Sequence, residues 1–410
     1  MMKSGLSFLV AARQCEIGEL EQLSRTSELV GVISRFAHVL QRERGISNMF
    51  LGSQGKRFSE QLLQQAAECR QVERDVREHF ALLDTDAIRM RNGARLFSRI
   101  AVVLHGLDGL DELRRRIAAM ALTSHESTDA FSRLIAGLLN VVFEAADSAT
   151  DPGITRALVA MFNFMQGKEF AGQERAFGVA MFASGYVDAA RQHHWQHLIE
   201  SQQACFQVFA DFADPAVRAR EQSSQKAAVL AELDRLRRAG NGLGAGGRLD
   251  LGLTQFWYDC CTRRIDSMRT VEDALALHLR QLCERKITRA REELRDHQAI
   301  LETLRRQANV APADAATRYG PNLERSIPGM LQEQSRRLQA MSDELDTVRS
   351  ALNERKTIER AKGLLMAHRQ LNEQDAYKML RRTAMNQKRR LIDVAEAVLS
   401  MADMLPRHTR

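Results

Sequence analysis

The stretch Leu29-Val-Gly-Val-Ile-Ser-Arg-Phe-Ala-His-Val-Leu-Gln-Arg-Glu-Arg-Gly-Ile-Ser-Asn48 shows most directly how this chain folds. Its apolar side chains recur at spacings of three and four residues, at Val32, Ile33, Phe36, Val39 and Leu40. An α-helix turns once every 3.6 residues, so this spacing places them on one helical face. A helix with such a face buries it against other helices, and the stretch therefore predicts a helical bundle.

The composition of the whole chain agrees with that prediction. Only six of the 410 residues are proline, and the first 151 residues contain none, which leaves room for long helices. Aromatic residues make up 6% of the chain, and the β-branched and aromatic runs that mark strands are largely missing. We therefore expect an all-α fold rather than a β-sandwich, a β-barrel or a doubly wound α/β enzyme.

The cysteines and the hydropathy pattern exclude other classes of protein. None of the six cysteines belongs to a Cys-x-x-Cys pair, so neither a zinc ribbon nor a disulfide scaffold is indicated. The N-terminal apolar stretch, Leu6–Ala12, is short, and no segment reaches the 18 or so apolar residues that a membrane span needs. We expect a soluble cytoplasmic protein that does not enter the membrane.

Two regions rich in turn-forming residues divide the chain. Residues 240–252 contain six glycines and predict a loop between helices. Residues 311–329 contain three prolines and two glycines, and we place the main domain boundary there. Between these regions, Thr254–Arg306 lacks glycine and proline, and a continuous helix of that length would extend on the order of 80 Å. Such a helix could carry a signal out of the first domain.

A leucine repeat follows the boundary. Leu331, Leu338, Leu345 and Leu352 are seven residues apart, and Met341 and Val348 each follow one of them by three residues. This is the pattern of a three-heptad coiled coil, and we favour a parallel homodimer. The alternative is one amphipathic helix that packs inside a monomer.

The first domain contains an internal repeat. The segment Gln41–Ser53 and the segment Gly172–Ser184 both contain Glu-Arg followed by Phe and then Ser, with one gap needed to align them. The copies begin 131 residues apart, so we expect two related helical halves, each of which contributes one copy to a shared site. The repeat makes Arg44 and Arg175 candidate site residues.

A third arginine is a candidate because of its position on a predicted helix. Arg237 lies on the same face as Leu230 and Leu233, whereas Arg238 points elsewhere. A guanidinium that points into a helical interior needs an anionic partner. Arginine beside glutamate usually forms an ordinary ion pair, but three converging guanidinium groups would suit a small planar oxyanion, with no catalysis required.

The positive charge is concentrated at the C-terminus. Residues 351–410 hold 13 Lys or Arg and 7 Asp or Glu, which accounts for +6 of the net charge of +7. Residues 353–405 predict three helices, with Lys388, Arg389 and Arg390 at the start of the third, where the helix dipole disfavours cations. A surplus of solvated surface charge would explain the net charge. A phosphate-bearing partner would also explain why cations lie at the start of the third helix.

These three helices resemble a known RNA-binding family. Glu354–Met366, Asn372–Arg381 and the later Ala384, Leu391, Val394 and Ala395 are similar to the ANTAR domain of bacterial antitermination regulators. The resemblance implies a dimeric domain that binds a two-hairpin leader mRNA and prevents a terminator from forming. On this basis the candidate RNA contacts are Lys356, Lys362, Arg381, Lys388, Arg389 and Arg390.

The first domain resembles the NIT family of nitrate and nitrite sensors. Gln41–Gly45 matches its Gln-x-Glu-Arg-Gly signature, and Phe164–Glu169 with Gln173–Arg175 fits its second half. The resemblance implies two related four-helix-bundle halves that bind nitrate or nitrite through Arg44, Arg175 and Arg237, the last interchangeable with Arg238 by a one-residue slip. The expected architecture is a sensor domain over residues 1–310, a linker over 311–330, and a coiled coil with an ANTAR domain over 331–410.

Together the two resemblances predict a nitrate-responsive antiterminator of the NasR type, with transcribing RNA polymerase affected only indirectly. The alternative is a ligand-responsive regulator that binds DNA through the third C-terminal helix. An enzyme is not expected, because the glycines of 240–252 lack the Lys-Ser/Thr ending of a P-loop and no nucleophile accompanies a base. His193, His194 and His197 have a spacing compatible with metal ligation but lack the Glu of a zincin, so we expect no metal and no cofactor besides the anion.

Overall fold

The structure of the chain, a computed structural model, describes residues 5–83, 93–241, 249–310, 321–369, 371 and 373–403. These residues form helices and connecting turns, and no β-strand is found among them. The helices are α1 Gly5–Gly52, α2 Ser59–Ala81, α3 Gly93–Asp108, α4 Leu110–Ala118, α5 Ser124–Ser148, α6 Pro152–Ser184, α7 Ala189–Phe212, α8 Pro215–Ser224, α9 Ala227–Asn241, α10 Leu253–Val310, α11 Pro321–Arg369, α12 Glu373–Gln387 and α13 Leu391–Asp403. The predicted all-α fold is confirmed.

The helices α1–α10 form two bundles that follow one another along the chain. In the described residues, each bundle has four longer helices and one short helix, α4 in the first bundle and α8 in the second. Helices α1 and α5 of the first bundle pack against α6 of the second, and α1 also packs along α10. The junction between the bundles is therefore made by long helices.

Local sequence signals explain where the central helix α6 begins and ends. The Asp151 side chain accepts a hydrogen bond from the backbone N–H of Ile154 (2.9 Å), and Pro152 occupies the first helical position. Gly185 ends the helix in the left-handed conformation, with φ of 66°. Between these ends α6 is buried along most of its length, because it packs against α5, α7 and α10.

Helix α10 is continuous over 58 residues, which corresponds to roughly 87 Å at 1.5 Å per residue. The prediction of one long helix after the glycine-rich loop is therefore confirmed. The centre of that loop, residues 242–248, lies outside the described residues, as do residues 311–320 of the predicted linker. Residues 321–330, the other part of that linker, lie in α11, so Pro328 and Gly329 do not interrupt the helix there.

The contacts divide the chain into two compact units, Met1–Ser335 and Arg336–Arg410. In the second unit, α11, α12 and α13 enclose a small apolar core whose buried residues are Ala361, Leu365, Ala376, Leu380, Ala384, Val394 and Ala395. Along the predicted coiled-coil seam, Val348 and Leu352 are buried, whereas Leu338 is 57% exposed. The side chain of Leu331 lies outside the described residues.

Candidate functional site

The two copies of the Glu-Arg repeat occupy equivalent positions on α1 and α6. Glu43 accepts a forked pair from Arg114 of α4, with Nε–Oε1 of 2.7 Å and Nη2–Oε2 of 3.0 Å. Glu174 accepts the same kind of pair from Arg237 of α9, at 2.8 and 2.7 Å. Both carboxylates are buried. Each glutamate therefore holds a helix of its own bundle.

The arginines of the repeat reach in the other direction, across the junction between the bundles. Arg44 donates to Glu169 of α6, with Nη1–Oε1 of 2.6 Å and Nη2–Oε2 of 3.2 Å. Arg175 donates from Nη2 to the carbonyl oxygen of Gln41 on α1, at 2.9 Å. Arg44 and Arg175 therefore tie α1 to α6 reciprocally.

Each arginine also donates to a hydroxyl group of its own bundle. Nη1 of Arg44 lies 2.7 Å from Oγ of Ser132 on α5, and Nη1 of Arg175 lies 3.0 Å from Oγ1 of Thr262 on α10. The guanidinium of Arg175 further lies over the ring of Tyr258, 5.3 Å from its centroid. The long helix α10 thus contacts Arg175 through two side chains.

The buried positive charges of Arg44 and Arg175 at the junction between the bundles are not matched by an equal number of paired carboxylates. Among the described residues, no carboxylate lies within ion-pair distance of Arg175, although its side chain is almost completely buried. Burial, together with the neighbouring Arg44, lowers the pKa of Arg175. Nε of Arg44 is buried without a hydrogen-bond partner. Of these two buried guanidinium groups, only that of Arg44 has a carboxylate partner, Glu169, so the junction favours a further anion.

Arg44 and Arg175 both line one small cavity. Its volume is about 10 Å³, and its lining residues are Arg44, Gly45, Asn48, Met49, Arg175, Ala176, Val179 and Tyr258. The cavity has room for about one water molecule. The structure therefore brings Arg44 and Arg175 together, as the repeat predicts.

Arg237 does not join this group of residues. Its side chain points inward, as helical geometry predicts, but it pairs with Glu174 and is not among the residues that line the cavity. Glu174 also accepts hydrogen bonds from Trp195 (3.0 Å) and Gln202 (2.7 Å). Although burial opposes ionisation, the hydrogen bonds and charge of Arg237 and the hydrogen bond from Gln202 lower the pKa of Glu174. The expected convergence of three arginines is therefore replaced by two arginines, and Arg238 is exposed.

Arg114 and Glu169 are the residues that sequence reasoning missed. Arg114 is the counterpart of Arg237 in the first bundle, because each arginine pairs with the glutamate of one repeat copy. The signal that could have found Arg114 is this symmetry: if Arg237 serves the second copy, an arginine of the first bundle should serve Glu43. Glu169 lies in the NIT-like segment Phe164–Glu169, but no sequence spacing links it to Arg44, which is 125 positions away. A contact between bundles of this kind is set by packing.

A second buried polar cluster adjoins the site. Nζ of Lys168 lies 2.6 Å from Oε2 of Glu272 on α10 and 3.1 Å from Nδ1 of His38 on α1. Arg269 donates to the same Glu272 oxygen at 3.4 Å. Burial, and then the charges of Lys168 and Arg269, lower the pKa of His38 to about 2. The cluster links α1, α6 and α10 next to Glu169.

In the C-terminal unit, three of the candidate RNA contacts lie in the turn between α12 and α13. Lys388, Arg389 and Arg390 are exposed, and Arg390 pairs with Asp393 at 3.0 Å. Lys388 has φ of 51°, and the bonds Lys388 N to Met385 O and Arg389 N to Ala384 O form a Schellman motif. The third helix therefore begins at Leu391, after these cations rather than with them.

The other three candidates lie on α11 and α12. Lys356 and Arg381 are half-buried. Lys362 is 7% exposed and pairs with Glu359 at 2.8 Å, so its ammonium group is poorly placed to meet RNA. The family resemblance identifies Lys362 by its position in the sequence, and such a position does not show how deeply the side chain is buried.

Two other expectations concern metal ions and the membrane. In the described part of the chain, no group of three or more His, Cys, Asp or Glu side chains is arranged to hold a metal ion. His194 instead packs edge-on against Phe177, with ring centroids 4.7 Å apart. None of the described helices combines the length and the apolar character needed to span a bilayer.

Comparisons with known proteins agree with this division of the chain. A family model described as nitrate and nitrite sensing, NIT, matches residues 35–280, and the ANTAR domain model matches residues 346–399. The nitrate regulatory protein of Klebsiella oxytoca is 33% identical over 402 residues, which cover 97% of this chain and 95% of that protein. The transcriptional regulatory protein PdtaR of Mycobacterium tuberculosis is 41% identical over 64 residues, 16% of this chain and 31% of that protein.

A solved structure is also similar over nearly the full length. The structure of the NasR transcription antiterminator aligns with a TM-score of 0.60 and 30% identity, covering 97% of this chain and 99% of the other. The matched families are sensory and regulatory. The chain therefore belongs to the family of nitrate-responsive transcription antitermination regulators that combine a NIT domain with an ANTAR domain.

Proposed function

We propose that nitrate or nitrite binds between α1 and α6, with the guanidinium groups of Arg44 and Arg175 as its direct partners. The observation that carries this proposal is the buried Arg175, which has no carboxylate partner among the described residues and faces Arg44. A planar guanidinium presents forked donors that suit a flat oxyanion. Arg237 holds Glu174, and through it α6, rather than the anion. No catalytic step and no cofactor other than the anion is needed.

The bound anion acts through α10. Arg175 donates to Thr262, and Lys168 pairs with Glu272, so both polar clusters of the junction contact this helix. A ligand shifts a conformational equilibrium only by its difference in affinity for the two states. A difference of about 3 kcal/mol, somewhat more than a hundredfold, is enough for a useful switch.

The C-terminal unit is the part of the chain that acts on RNA in response to the anion. We propose that it works as a homodimer formed along the seam of α11, where Leu338 is exposed in the single chain, and that the dimer binds the hairpins of a leader mRNA. A-form major grooves are too narrow for side chains, so recognition rests on shape, phosphates and loop bases. Prevention of the terminator affects RNA polymerase only indirectly. The site of action is the cytoplasm, where the leader is transcribed.

A thermal-shift panel tests the sensor half of this proposal. The wild-type chain and the variants Arg44→Lys and Arg175→Lys are melted with nitrate, nitrite, chloride and sulfate at constant ionic strength. Only a ligand that binds the native state raises the melting temperature, so nitrate or nitrite should do so for the wild type alone. Lysine keeps the positive charge but lacks the paired N–H donors of arginine. An equal rise of the melting temperature in the variants would therefore contradict the assignment of Arg44 and Arg175 to the anion site.

A binding comparison tests the output half. Hairpin RNA and duplex DNA of equal length are titrated with the chain at the same salt concentration, because affinity for nucleic acid depends steeply on salt. We expect the RNA to bind more tightly. Tighter binding of the duplex would favour the alternative, a regulator that places α13 in a DNA major groove.

A further inference from the structure

One arginine of the proposed anion site, Arg44, already holds a carboxylate of the protein. The Glu169 carboxylate accepts both forked bonds of Arg44 and is further held by Nε2 of Gln41 (2.9 Å) and Nε2 of Gln173 (2.9 Å). Its side chain is 2% exposed. In shape and charge this carboxylate resembles the ligand that the arginine would bind, and it occupies the donors that such a ligand would need.

The space beside Arg44 is too small for an added ligand. The cavity of about 10 Å³ accepts roughly one water molecule, whereas nitrate carries three oxygens around its nitrogen. A Cβ atom added to Gly45 or Gly172 would lie 2.6 or 2.5 Å from the facing guanidinium nitrogen, so the backbone lies close to both groups. A side chain must therefore move before an oxyanion can reach both arginines.

Electrostatics indicate that the side chain that moves is Glu169. An oxyanion between Arg44 and Arg175 would lie beside this carboxylate, and two like charges in a buried site disfavour each other. Departure of Glu169 removes the repulsion and frees two donors of Arg44. Gln173, one turn further along α6, remains available to the carboxylate.

We propose that Glu169 is a built-in competitor that is displaced from Arg44 when nitrate or nitrite binds, and that it sets the affinity of the sensor. This inference rests on the proposed function of the site. The binding-competent state is the one in which Arg44 is released, so the apparent dissociation constant equals the intrinsic constant divided by the fraction of chains in that state. A stronger Arg44–Glu169 pair gives a less sensitive sensor.

The chain provides a matched control for this proposal. Glu43 is also a buried carboxylate with a forked arginine partner, but that partner is Arg114, and among the described residues the carboxylate of Glu43 forms no ion pair with Arg44. The variants Glu169→Gln and Glu43→Gln each remove one buried negative charge with little change in shape. Only the first removes the competitor of the anion.

The experiment measures the dissociation constant of nitrate by calorimetry for full-length wild type, Glu169→Gln and Glu43→Gln. We expect Glu169→Gln to bind nitrate at least tenfold more tightly than wild type, and Glu43→Gln to remain within about threefold. Glu169→Asp retains the charge on a side chain one methylene shorter, which weakens the fork, and should fall between wild type and Glu169→Gln. Unfolding curves in nitrate-free buffer identify any variant that fails to fold. If Glu169→Gln does not fold, the affinity of Glu169→Asp for nitrate, compared with that of wild type, tests the proposal.

The possible outcomes separate the two proposals. If wild type binds nitrate and both Glu169 variants bind it equally well or more weakly, Glu169 is not a competitor, while the anion site stands. If neither wild type nor any Glu169 variant binds nitrate at millimolar concentrations, the proposed function of the site fails, and this inference fails with it. Nitrate binding by Glu169→Gln that exceeds that of wild type supports both.

Discussion

Nη2 of Arg175 lies 2.6 Å from the position that a Cβ atom would take on Gly45. The relation is reciprocal, since Nη2 of Arg44 lies 2.5 Å from the corresponding position on Gly172. Each long helix therefore provides a glycine where the arginine of the other helix crosses it. The absence of a side chain lets each guanidinium lie directly against the opposite backbone, and this places both groups at one small cavity.

Alanine at either glycine should displace the facing guanidinium. For Gly45→Ala and Gly172→Ala we expect nitrate affinity to fall at least tenfold, with a loss of about 1–3 kcal/mol of unfolding free energy from overpacking. The control is Gly18→Ala on α1, where an added Cβ meets nothing within 4 Å. This control should gain up to about 1 kcal/mol from helix propensity and bind nitrate normally. Calorimetry and urea unfolding measure both effects, and unchanged affinity in the first two variants would count against the geometry.

Arg114→Ala and Arg237→Ala should have similar effects, because the two arginines hold equivalent buried glutamates. Removing one partner of a buried pair costs about 3–5 kcal/mol, and Arg237, with 17% of its side chain exposed, should lie at the lower end. Arg70→Ala, which breaks an exposed pair with Asp111, should cost at most about 1 kcal/mol.

The Arg237 variant also tests its role in the anion site. At a temperature where Arg237→Ala is folded, nitrate should still bind with a stoichiometry of one per chain. Loss of nitrate binding by the folded variant would show that Arg237 contacts the anion directly, in conflict with its placement on Glu174.

Acid should destabilise the sensor through His38. The pKa of His38 is about 2 in the native state, as a result of burial and of Lys168 and Arg269, and about 6.5 when the chain is unfolded. Below pH 6.5 the unfolded chain therefore binds one more proton, and the unfolding free energy falls by up to about 1.4 kcal/mol per pH unit. His38→Gln, which retains an acceptor for Lys168, should flatten the profile between pH 6.5 and 5. Equal slopes for both proteins in urea titrations would refute this assignment.

Lys388 offers a test that separates stability from RNA binding. Its left-handed backbone is a position where glycine is favoured, so Lys388→Gly should stabilise the chain by about 1 kcal/mol. The same change removes an exposed cation, so RNA affinity should fall, and the slope of log affinity against log salt should decrease by nearly one. Lys388→Arg keeps both charge and strain and should bind as wild type does. A Lys388→Gly variant with full RNA affinity would exclude this turn from the interface.

Much of the fold could be predicted from the sequence because helical periodicity is a local property. The apolar spacing in α1 and the glycine- and proline-free stretch of α10 are properties of neighbouring residues, and the described helices confirm both predictions. The repeat also identified Arg44 and Arg175 correctly as neighbours at one cavity.

The remaining features depend on which side chains meet in three dimensions. Arg237 points inward as predicted, but it pairs with Glu174. The spacing of Arg237 on its helix does not show whether its partner is a carboxylate of the protein or a bound anion. Glu169 pairs with an arginine 125 positions away, and Lys362 is buried although the sequence marks it only as a helical cation. Such pairings are set by packing between elements, which periodicity does not encode.

The most direct test of the central claim is the affinity of the 410-residue chain for a two-hairpin RNA with and without nitrate, measured for wild type and Arg175→Lys. Nitrate should strengthen RNA binding by wild type roughly a hundredfold, which corresponds to a coupling of about 3 kcal/mol, and should leave Arg175→Lys unchanged. Nitrate-independent RNA binding by wild type, or an equal response in Arg175→Lys, would contradict the account.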